Sequence, residues 1–131
     1  MIEMLKPQDW PVPRGFVHGL AARGRLVFTA GQIGRDEVSG TLSERLADQV
    51  RQALRNVVAV IAEAGGGPEH VVRLTWYITH KTEYSACLRE IGEAYREVMG
   101  YHYPAMSVLV VSALIEDGAR VEIEGTAVIP E

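Results

Sequence analysis

Two stretches near the end of the chain decide its fold: YPAMSVLVV at residues 103–111 and VEIEGTA at residues 121–127. The first is apolar at successive positions, which predicts a buried strand that is covered on both faces. The second alternates apolar with polar residues, which predicts a strand with one covered face. Its carboxylates, Glu122 and Glu124, either face water or lie in a sheltered cleft, and an isolated strand of this pattern favours water.

The composition predicts one ordinary globular domain that spans residues 1–131. The net charge of -4 and the scattered arginines argue against a nucleic-acid surface. The single cysteine, Cys87, cannot form an internal disulfide, which fits a cytoplasmic protein. The first residues lack the pattern of a signal peptide, and no apolar run approaches the ~18–20 residues of a membrane span. We therefore expect no membrane partner.

The N-terminal part of the sequence predicts an extended segment followed by short strands. Residues 1–15 contain three prolines, so we expect an extended lead-in rather than a helix. Residues 16–18 and 25–30 are predicted as strands, and the turn Gly31-Gln32-Ile33-Gly34 stops the second of them.

The first helix is predicted to begin at a capping box, Thr41-Leu42-Ser43-Glu44. Its apolar residues recur at helical spacing, at Leu46, Val50, Leu54, Val57, Val58 and Ile61. Its polar residues, including Gln49 and Gln52, are expected largely on the outer side. The run Gly65-Gly66-Gly67-Pro68 ends the helix, and because it follows a helix it does not resemble a phosphate-binding loop.

Residues 71–79 predict the next strand, and a second helix follows it. The expected inner face of the strand carries Val72, Leu74, Trp76 and Ile78, and the outer face carries Arg73, Thr75, Tyr77 and Thr79. The second helix is expected to be capped by Thr82 and to end at Gly100.

The element order indicates an α+β fold in which one sheet face lacks a cover. Two helices can cover only one face of a mixed sheet of about five to six strands. The other face is expected to carry Val27 or Thr29, Thr75, Tyr77 and residues of the strand 106–111. Because such an apolar face is rarely left in water, we expect a homo-oligomer assembled through it.

These residues resemble those of the Rid (reactive intermediate deaminase) superfamily, also called the YjgF family. The matching fragments, in order, are Gly15-Phe16-Val17-His18-Gly19, Thr29-Ala30-Gly31-Gln32-Ile33, Gln49-x-x-Gln52-Ala53-Leu54-x-Asn56-Val57, Ala64-Gly65, Tyr103-Pro104-Ala105-Met106-Ser107 and Val121-Glu122-Ile123-Glu124-Gly125-Thr126-Ala127. The resemblance covers about residues 15–128 and makes the chain a single Rid-type domain. It implies a chorismate-mutase-like fold, a homotrimeric barrel assembly and ligand clefts between subunits.

The resemblance also implies an activity and a site. Deaminating members hydrolyse imines and enamines of small metabolites without a cofactor. The family glutamate falls on Glu124, and the family Gly-Gln turn is present as Gly31-Gln32. Methionine, Met106, stands where the family has a substrate-anchoring arginine, and Phe16 stands where it has a tyrosine. The family asparagine on the second helix falls at or near Gly92.

The loss of the arginine predicts a more apolar cleft, because methionine cannot bind a carboxylate through two parallel hydrogen bonds. His18 and His102 are further candidates for the cleft. No metal site is expected, because the histidines do not follow a ligand spacing. The leading function is imine or enamine hydrolysis with Glu124 directing water. The alternatives are a non-catalytic trimeric protein that binds small molecules and, disfavoured by the acidic balance, an endoribonuclease.

Overall fold

A computed structural model describes residues 2–131 of the chain, so that Met1, the first residue of the predicted lead-in, lies outside the described residues. The strands are β1 (Ile2–Leu5), β2 (Gly19–Ala22), β3 (Arg25–Phe28), β4 (Gln32–Ile33), β5 (Val71–Ile78), β6 (Ala105–Val110) and β7 (Val121–Ile129). The helices are α1 (Leu46–Glu63), α2 (Lys81–Ala86) and α3 (Leu88–Met99), and a 3-10 turn at Pro68–His70 precedes β5.

The main sheet is mixed and has five strands in the order β3-β7-β5-β6, with β4 also paired to β7. Strand β7 is antiparallel to β3, β4 and β5, whereas β5 and β6 are parallel and are connected through α2 and α3. The last strand of the chain is therefore central in the sheet, and the predicted α+β class with about five to six strands is confirmed.

The helices lie on one face of this sheet, as predicted. The apolar sides of α1 and α3 form one core cluster with the inward residues of β5 and β7, among them Leu74, Trp76 and Ile123. Burial alternates along β7, with Val121 and Ile123 inaccessible and Glu122 and Glu124 partly exposed on the opposite face. The amphipathic pattern of VEIEGTA thus gave the correct inner face.

A β-bulge changes the start of β5. The register of β5 against β7 shifts between Val71 and Arg73, so that the fully buried residue is Val71 rather than the predicted Val72. From Leu74 to Ile78 the predicted alternation is correct. A bulge adds one residue to a strand and therefore reverses the alternation on one side of it.

Strand β6 is an edge strand, and the prediction that it is buried on both faces is wrong for the single chain. Val108, Leu109 and Val110 are 40–53% exposed, because among residues 2–131 no further strand lies beyond β6 and the helices cover little of it. Continuous apolar sequence shows that a strand prefers burial, but it cannot show whether the same chain supplies the cover.

The N-terminal prediction also needs correction. Residues 16–18 form no strand, and β2 begins instead at Gly19, where it pairs with β1 in a separate two-stranded sheet. Residues 2–5 of the lead-in are therefore a strand with a partner. A partner far along the chain determines pairing, and local propensity does not reveal it.

Neither predicted helix cap is present. Helix α1 begins at Leu46 after Arg45, which makes no side-chain capping bond, so the capping box at residues 41–44 is wrong. Helix α2 begins at Lys81, one residue before the proposed cap Thr82, and the second helix is interrupted at Cys87. The helix ends are correct, since Gly65 and Gly100 follow them with positive φ angles of 88° and 64°.

The polar residue Gln49 was predicted on the outer side of α1, and this is wrong. Its side chain is fully buried, and its amide donates to the carbonyl oxygens of Ser43 and Gly118 at 2.7 and 2.9 Å. Its oxygen accepts from the amide of Arg120 at 2.8 Å. Burial is tolerated because these bonds satisfy the amide group.

The uncovered sheet face also differs from prediction near β3. Val27 packs towards the helix side, and Thr29 is buried, where its hydroxyl accepts from the Gly125 amide at 3.0 Å. The exposed apolar residues of β3 are Leu26 and Phe28 instead. Strand β3 is paired with β7 so that its even-numbered residues point away from the helices. The short sequence RLVF is apolar at consecutive positions and therefore does not indicate which residues face the core.

Candidate functional site

The uncovered face of the sheet carries a carboxylate held by a phenol. The Tyr77 hydroxyl donates to Glu124 Oε1 at 2.5 Å, from the adjacent strand β5 to the central strand β7. None of the described residues donates a hydrogen bond to the second oxygen, Oε2, and Glu124 is partly exposed. The carboxylate is therefore oriented on one side and free to bind a water molecule or a ligand on the other.

A second carboxylate lies beside the first on the same face. Glu122 is the direct neighbour of Tyr77 across the β5–β7 pair. Its side chain lies against Gly31, where a Cβ atom would collide with the carboxylate. Gln32, which follows Gly31, pairs with Ile123 between the two glutamates. The Gly31-Gln32 turn therefore lies next to both Glu122 and Glu124. Glycine at this position therefore lets the Glu122 carboxylate lie against the turn, and a side chain at position 31 would move the carboxylate away.

The electrostatics of this cluster favour the neutral phenol. The hydrogen bond to Glu124 raises the pKa of Tyr77 above its usual value, and burial and the negative charges of Glu124 and Glu122 raise the pKa further. Tyr77 thus remains a hydrogen-bond donor at neutral pH, as an oriented carboxylate needs.

The helix-covered face of the sheet, opposite to the face with Glu124, carries Met106 on strand β6. Met106 pairs with Leu74 and packs against the core, whereas Glu124 lies in the register of Thr75, on the other face. A cavity of about 230 Å³ opens beside Met106, between the strands β5 and β6 and the helices α2 and α3. Its lining residues are Gly15, Trp76, Tyr84, Leu88, Ile91, Gly92, Tyr95, Arg96, Tyr103, Met106 and Val108.

Aromatic rings form one wall of this cavity, which we call the Met106 cavity. Tyr95 stacks on Tyr103 with ring centroids 5.5 Å apart and lies 6.4 Å from the Trp76 ring. The Tyr95 hydroxyl donates to the carbonyl oxygen of His102. The rings are therefore fixed by stacking and hydrogen bonding, and most of the cavity lining is apolar.

The remaining candidates lie near the N-terminal segment. Phe16 and His102 line a neighbouring cavity of about 440 Å³, which shares Gly15 and Tyr103 with the Met106 cavity. The His102 ring donates from Nε2 to the carbonyl oxygen of Val71 at 2.7 Å, so its imidazole holds the loop before β6 against β5.

His18 belongs to a small aromatic group at the N-terminal segment. It is exposed, and its ring lies edge-on to Trp10 at 4.8 Å and to Phe16 at 5.1 Å. The contacts of His18 are thus with two aromatic rings, and its position as a ligand-binding residue stays a prediction.

The predicted site residues thus form two groups that one chain does not bring together. Glu124, Gly31 and Gln32 lie at the uncovered sheet face. Met106 lies on the helix face of the sheet, Phe16 and His102 line the adjoining cavity, and His18 lies beside Phe16. The assignment of all of them to one cleft remains a prediction that requires a second chain.

Sequence reasoning missed three features of these surfaces. Tyr77 was placed on the correct face but was not recognised as the partner of Glu124. Arg96 was not singled out, although it lines the Met106 cavity. The buried indole N–H of Trp76 has no hydrogen-bond partner among the described residues. The alternation of β5 could have indicated Tyr77, but register and rotamer are absent from the sequence.

The described part of the chain provides neither a cluster of metal ligands nor a membrane-spanning helix. Among residues 2–131, no three His, Cys, Asp or Glu side chains come together in a way that could hold a metal ion. No helix in the same range combines the length and apolar character that crossing a membrane requires.

Comparison with known proteins adds a consistent relationship across nearly the whole chain. The family described as Endoribonuclease L-PSP matches residues 10–129. The human 2-iminobutanoate/2-iminopropanoate deaminase is 31% identical over 105 residues, which are 79% of this chain and 73% of the human protein.

Solved structures agree with this relationship. The Rid-family protein YyfB from Yersinia pestis, of unknown function, superposes with a TM-score of 0.82 at 30% identity and covers 98% of both chains. Escherichia coli TdcF with bound serine superposes with a TM-score of 0.70 at 30% identity, over 97% of this chain and 98% of TdcF.

Proposed function

Because this chain belongs to the endoribonuclease L-PSP family, which includes the Rid and YjgF proteins, we propose that it hydrolyses small imines or enamines and releases ammonia. Relatives named 2-iminobutanoate/2-iminopropanoate deaminase support this reaction class. The single observation that carries the proposal is the Tyr77–Glu124 pair, which presents an oriented carboxylate with one free oxygen.

In the proposed reaction Glu124 acts on water as a general base. The water oxygen forms a bond to the carbon of the C=N group while Glu124 accepts one of its protons. As the C=N π bond opens, this proton passes to nitrogen and a carbinolamine forms. The hydroxyl proton of the carbinolamine then moves to nitrogen as the C–N bond breaks, so that ammonia and a carbonyl compound leave; an enamine reacts after tautomerising to the imine. Tyr77 keeps Oε1 engaged, so that Oε2 faces the water.

We propose that the complete cleft forms between chains of a homotrimer, where a small metabolite binds. The uncovered face that carries Glu124 and the β6 edge that carries Met106 lie on opposite sides of one sheet. They can border one ligand only if Glu124 of one chain faces the Met106 cavity of the next. The exposed apolar residues Leu26, Phe28 and Leu109 support such an assembly. A cytoplasmic location stays a prediction, supported by the single cysteine.

The proposal is tested by release of ammonia from imines that an amino-acid oxidase makes in situ, with semicarbazide trapping to follow imine consumption. We expect Glu124→Gln to lower kcat by about a hundredfold or more, because the general base is lost. Glu122→Gln is the matched control, since it removes a carboxylate two residues away on the same face. It should retain activity within about fivefold.

The opposite results would exclude the proposal. If the wild-type protein accelerates no imine or enamine, or if Glu124→Gln is as active as wild type, the chain is not a deaminase of this mechanism. The second candidate, a non-catalytic small-molecule-binding trimer, would then be favoured by Met106 and the apolar cavity beside it. Endoribonuclease activity is not proposed, because the chain carries a net charge of -4.

A further inference from the structure

The Met106 cavity has one charged residue among its described lining residues, and that residue is Arg96. Arg96 lies in the last turn of α3 and is exposed. It forms no salt bridge with any residue between positions 2 and 131, whereas Arg51 and Arg55 on the neighbouring helix α1 both contact Glu97. A cation without a carboxylate partner at the mouth of an apolar cavity is available for an anionic ligand.

The position of the guanidinium depends on a glycine one turn earlier. Helical side chains point towards the N-terminus, so Arg96 extends over residue 92. Gly92 leaves room for it: a Cβ at this position would stand 3.3 Å from Arg96 Nη1 and 4.0 Å from Cζ. The guanidinium thus lies along the helix surface at the cavity, in close contact with the backbone of residue 92, so that only a side chain longer than a methyl group would compete with it for this space.

The other walls indicate what the anion is attached to. Trp76, Tyr95 and Tyr103 provide a stacked aromatic wall, and Met106 provides an adaptable apolar one. The buried Trp76 N–H is a donor without a described acceptor. A volume of about 230 Å³ lies below the ~300–1,000 Å³ of drug-sized sites, so the ligand is small.

We propose that Arg96 binds the carboxylate of the ligand, and that the ligand is a small monocarboxylate with an apolar, branched or aromatic, side chain. Arg96 would then determine specificity from a helix position, while Met106 and the aromatic wall contact the side chain. This role rests on the proposed function, because it concerns the same cleft, but binding is measured separately from catalysis.

The test compares an acid with its neutral ester as binding probes. The probes are 4-methyl-2-oxopentanoate and its methyl ester, titrated into the assembled protein and followed by NMR or calorimetry. Wild-type protein should bind the acid about ten- to hundredfold more tightly than the ester, as expected for a charge-assisted hydrogen bond. Arg96→Gln should remove this preference, and Arg96→Lys should retain only part of it.

Two further variants separate a binding role from a structural one. Gly92→Leu should preserve the helix, because leucine favours it over glycine, and yet weaken acid binding by about tenfold. Its side chain fills the space beside Arg96, whereas a single methyl group there would move the guanidinium by only a few tenths of an ångström. Arg89→Gln is the control, since Arg89 is an exposed arginine of the same helix that pairs with Glu93. Its acid preference should equal that of wild type.

The possible results distinguish the two proposals. If wild-type protein prefers the acid through Arg96 but deaminates nothing, the proposed function is wrong and Arg96 remains a ligand-binding residue. If the protein deaminates imines but binds acid and ester equally, or if Arg96→Gln keeps the preference, the role of Arg96 is overturned and the proposed function stands.

Discussion

Tyr77 connects the two strands that carry the proposed chemistry. It lies on β5 beside Glu122 and reaches diagonally to Glu124 on β7. Because the bond to Glu124 raises the pKa of Tyr77 above its usual value, the phenol keeps its proton at neutral pH. The orientation of Glu124 should therefore not be lost through ionisation of its partner in mildly alkaline solution.

Tyr77→Phe should lower kcat by about tenfold while leaving the KM of the imine nearly unchanged. The hydroxyl orients the base, and a hydrogen bond to a charged group is worth ~1.5–3 kcal/mol. Steady-state kinetics with the in situ imine assay would measure this. The melting temperature should change little, because Tyr77 is partly exposed and its ring remains.

Thr75→Val provides the control for this prediction. Thr75 is the direct neighbour of Glu124 across the same strand pair, but no hydrogen bond joins the two side chains. The variant removes a hydroxyl from the same face without touching the base and should keep kcat within about twofold. Equal losses in Thr75→Val and Tyr77→Phe would show that the surface as a whole, not the Tyr77 bond, affects the rate.

Helix α1 is attached to the loop before β7 through Gln49. The side-chain amide bonds the carbonyl groups of Ser43 and Gly118 and the amide of Arg120, all within a fully buried setting. Gly34 also lies close against this residue, since a Cβ at position 34 would meet Gln49 Cβ at 2.6 Å. Gln49 therefore fixes the position of the chain where β7 begins, and thereby helps to position Glu124 on that strand.

Gln49→Ala should lower the free energy of unfolding by about 3 kcal/mol. The change leaves three backbone groups without partners, and an unsatisfied buried group costs ~1–3 kcal/mol. Urea denaturation followed by circular dichroism would measure it. Gln52→Ala, on the same helix, removes one partly exposed bond to Asn56 and should cost less than ~1 kcal/mol. A comparable loss in both variants would contradict the role given to Gln49.

Periodicity predicted the elements that have a strong apolar face but not their long-range partners. The alternation of β7, the apolar stripe of α1 and the glycines after α1 and α3 follow from local spacing, and the structure has them. Gln49 could not be placed, because two of the three groups that satisfy it, at Gly118 and Arg120, lie about seventy residues away. The β5 bulge at Val71 was unpredictable for the same reason, since pairing with β7 creates it.

The candidate site was predictable only in part. The chain pattern indicated Glu124 and its face, whereas Tyr77 required the register between β5 and β7. Arg96 required knowledge that Gly92 leaves space beside it. Where an element has a strong apolar pattern, local sequence indicates which side of it a residue occupies, but the neighbours on that side depend on packing between distant segments.

At the scale of the whole molecule, the exposed apolar residues indicate where another chain packs. Leu26 and Phe28 are 60% and 69% exposed beside Glu124, and Leu109 is 45% exposed on β6. Apolar patches of this kind on a single chain usually mark an interface. Assembly through this face would also cover the β6 edge, whose apolar sequence first indicated burial.

A shared cleft makes a specific prediction for mixed trimers. Glu124→Gln and Arg96→Glu should each be nearly inactive towards an anionic imine, because one lacks the base and the other repels the carboxylate. If Glu124 of one chain faces the Met106 cavity of the next chain, which carries Arg96, every mixed trimer contains one intact site out of three. Co-expression with two different tags and purification on both should therefore restore about one third of wild-type activity.

One intact site arises in both kinds of mixed trimer, whether it contains two copies of the Glu124→Gln chain and one of the Arg96→Glu chain or the reverse. In a ring of three chains, only one boundary joins a chain with wild-type Glu124 to a chain with wild-type Arg96. Sedimentation must show a species of about 43 kDa, three times the chain mass of 14.4 kDa, so that mixing is established. Activity no higher than that of the parent variants in such trimers would show that each chain holds a complete site, and the shared cleft would be excluded.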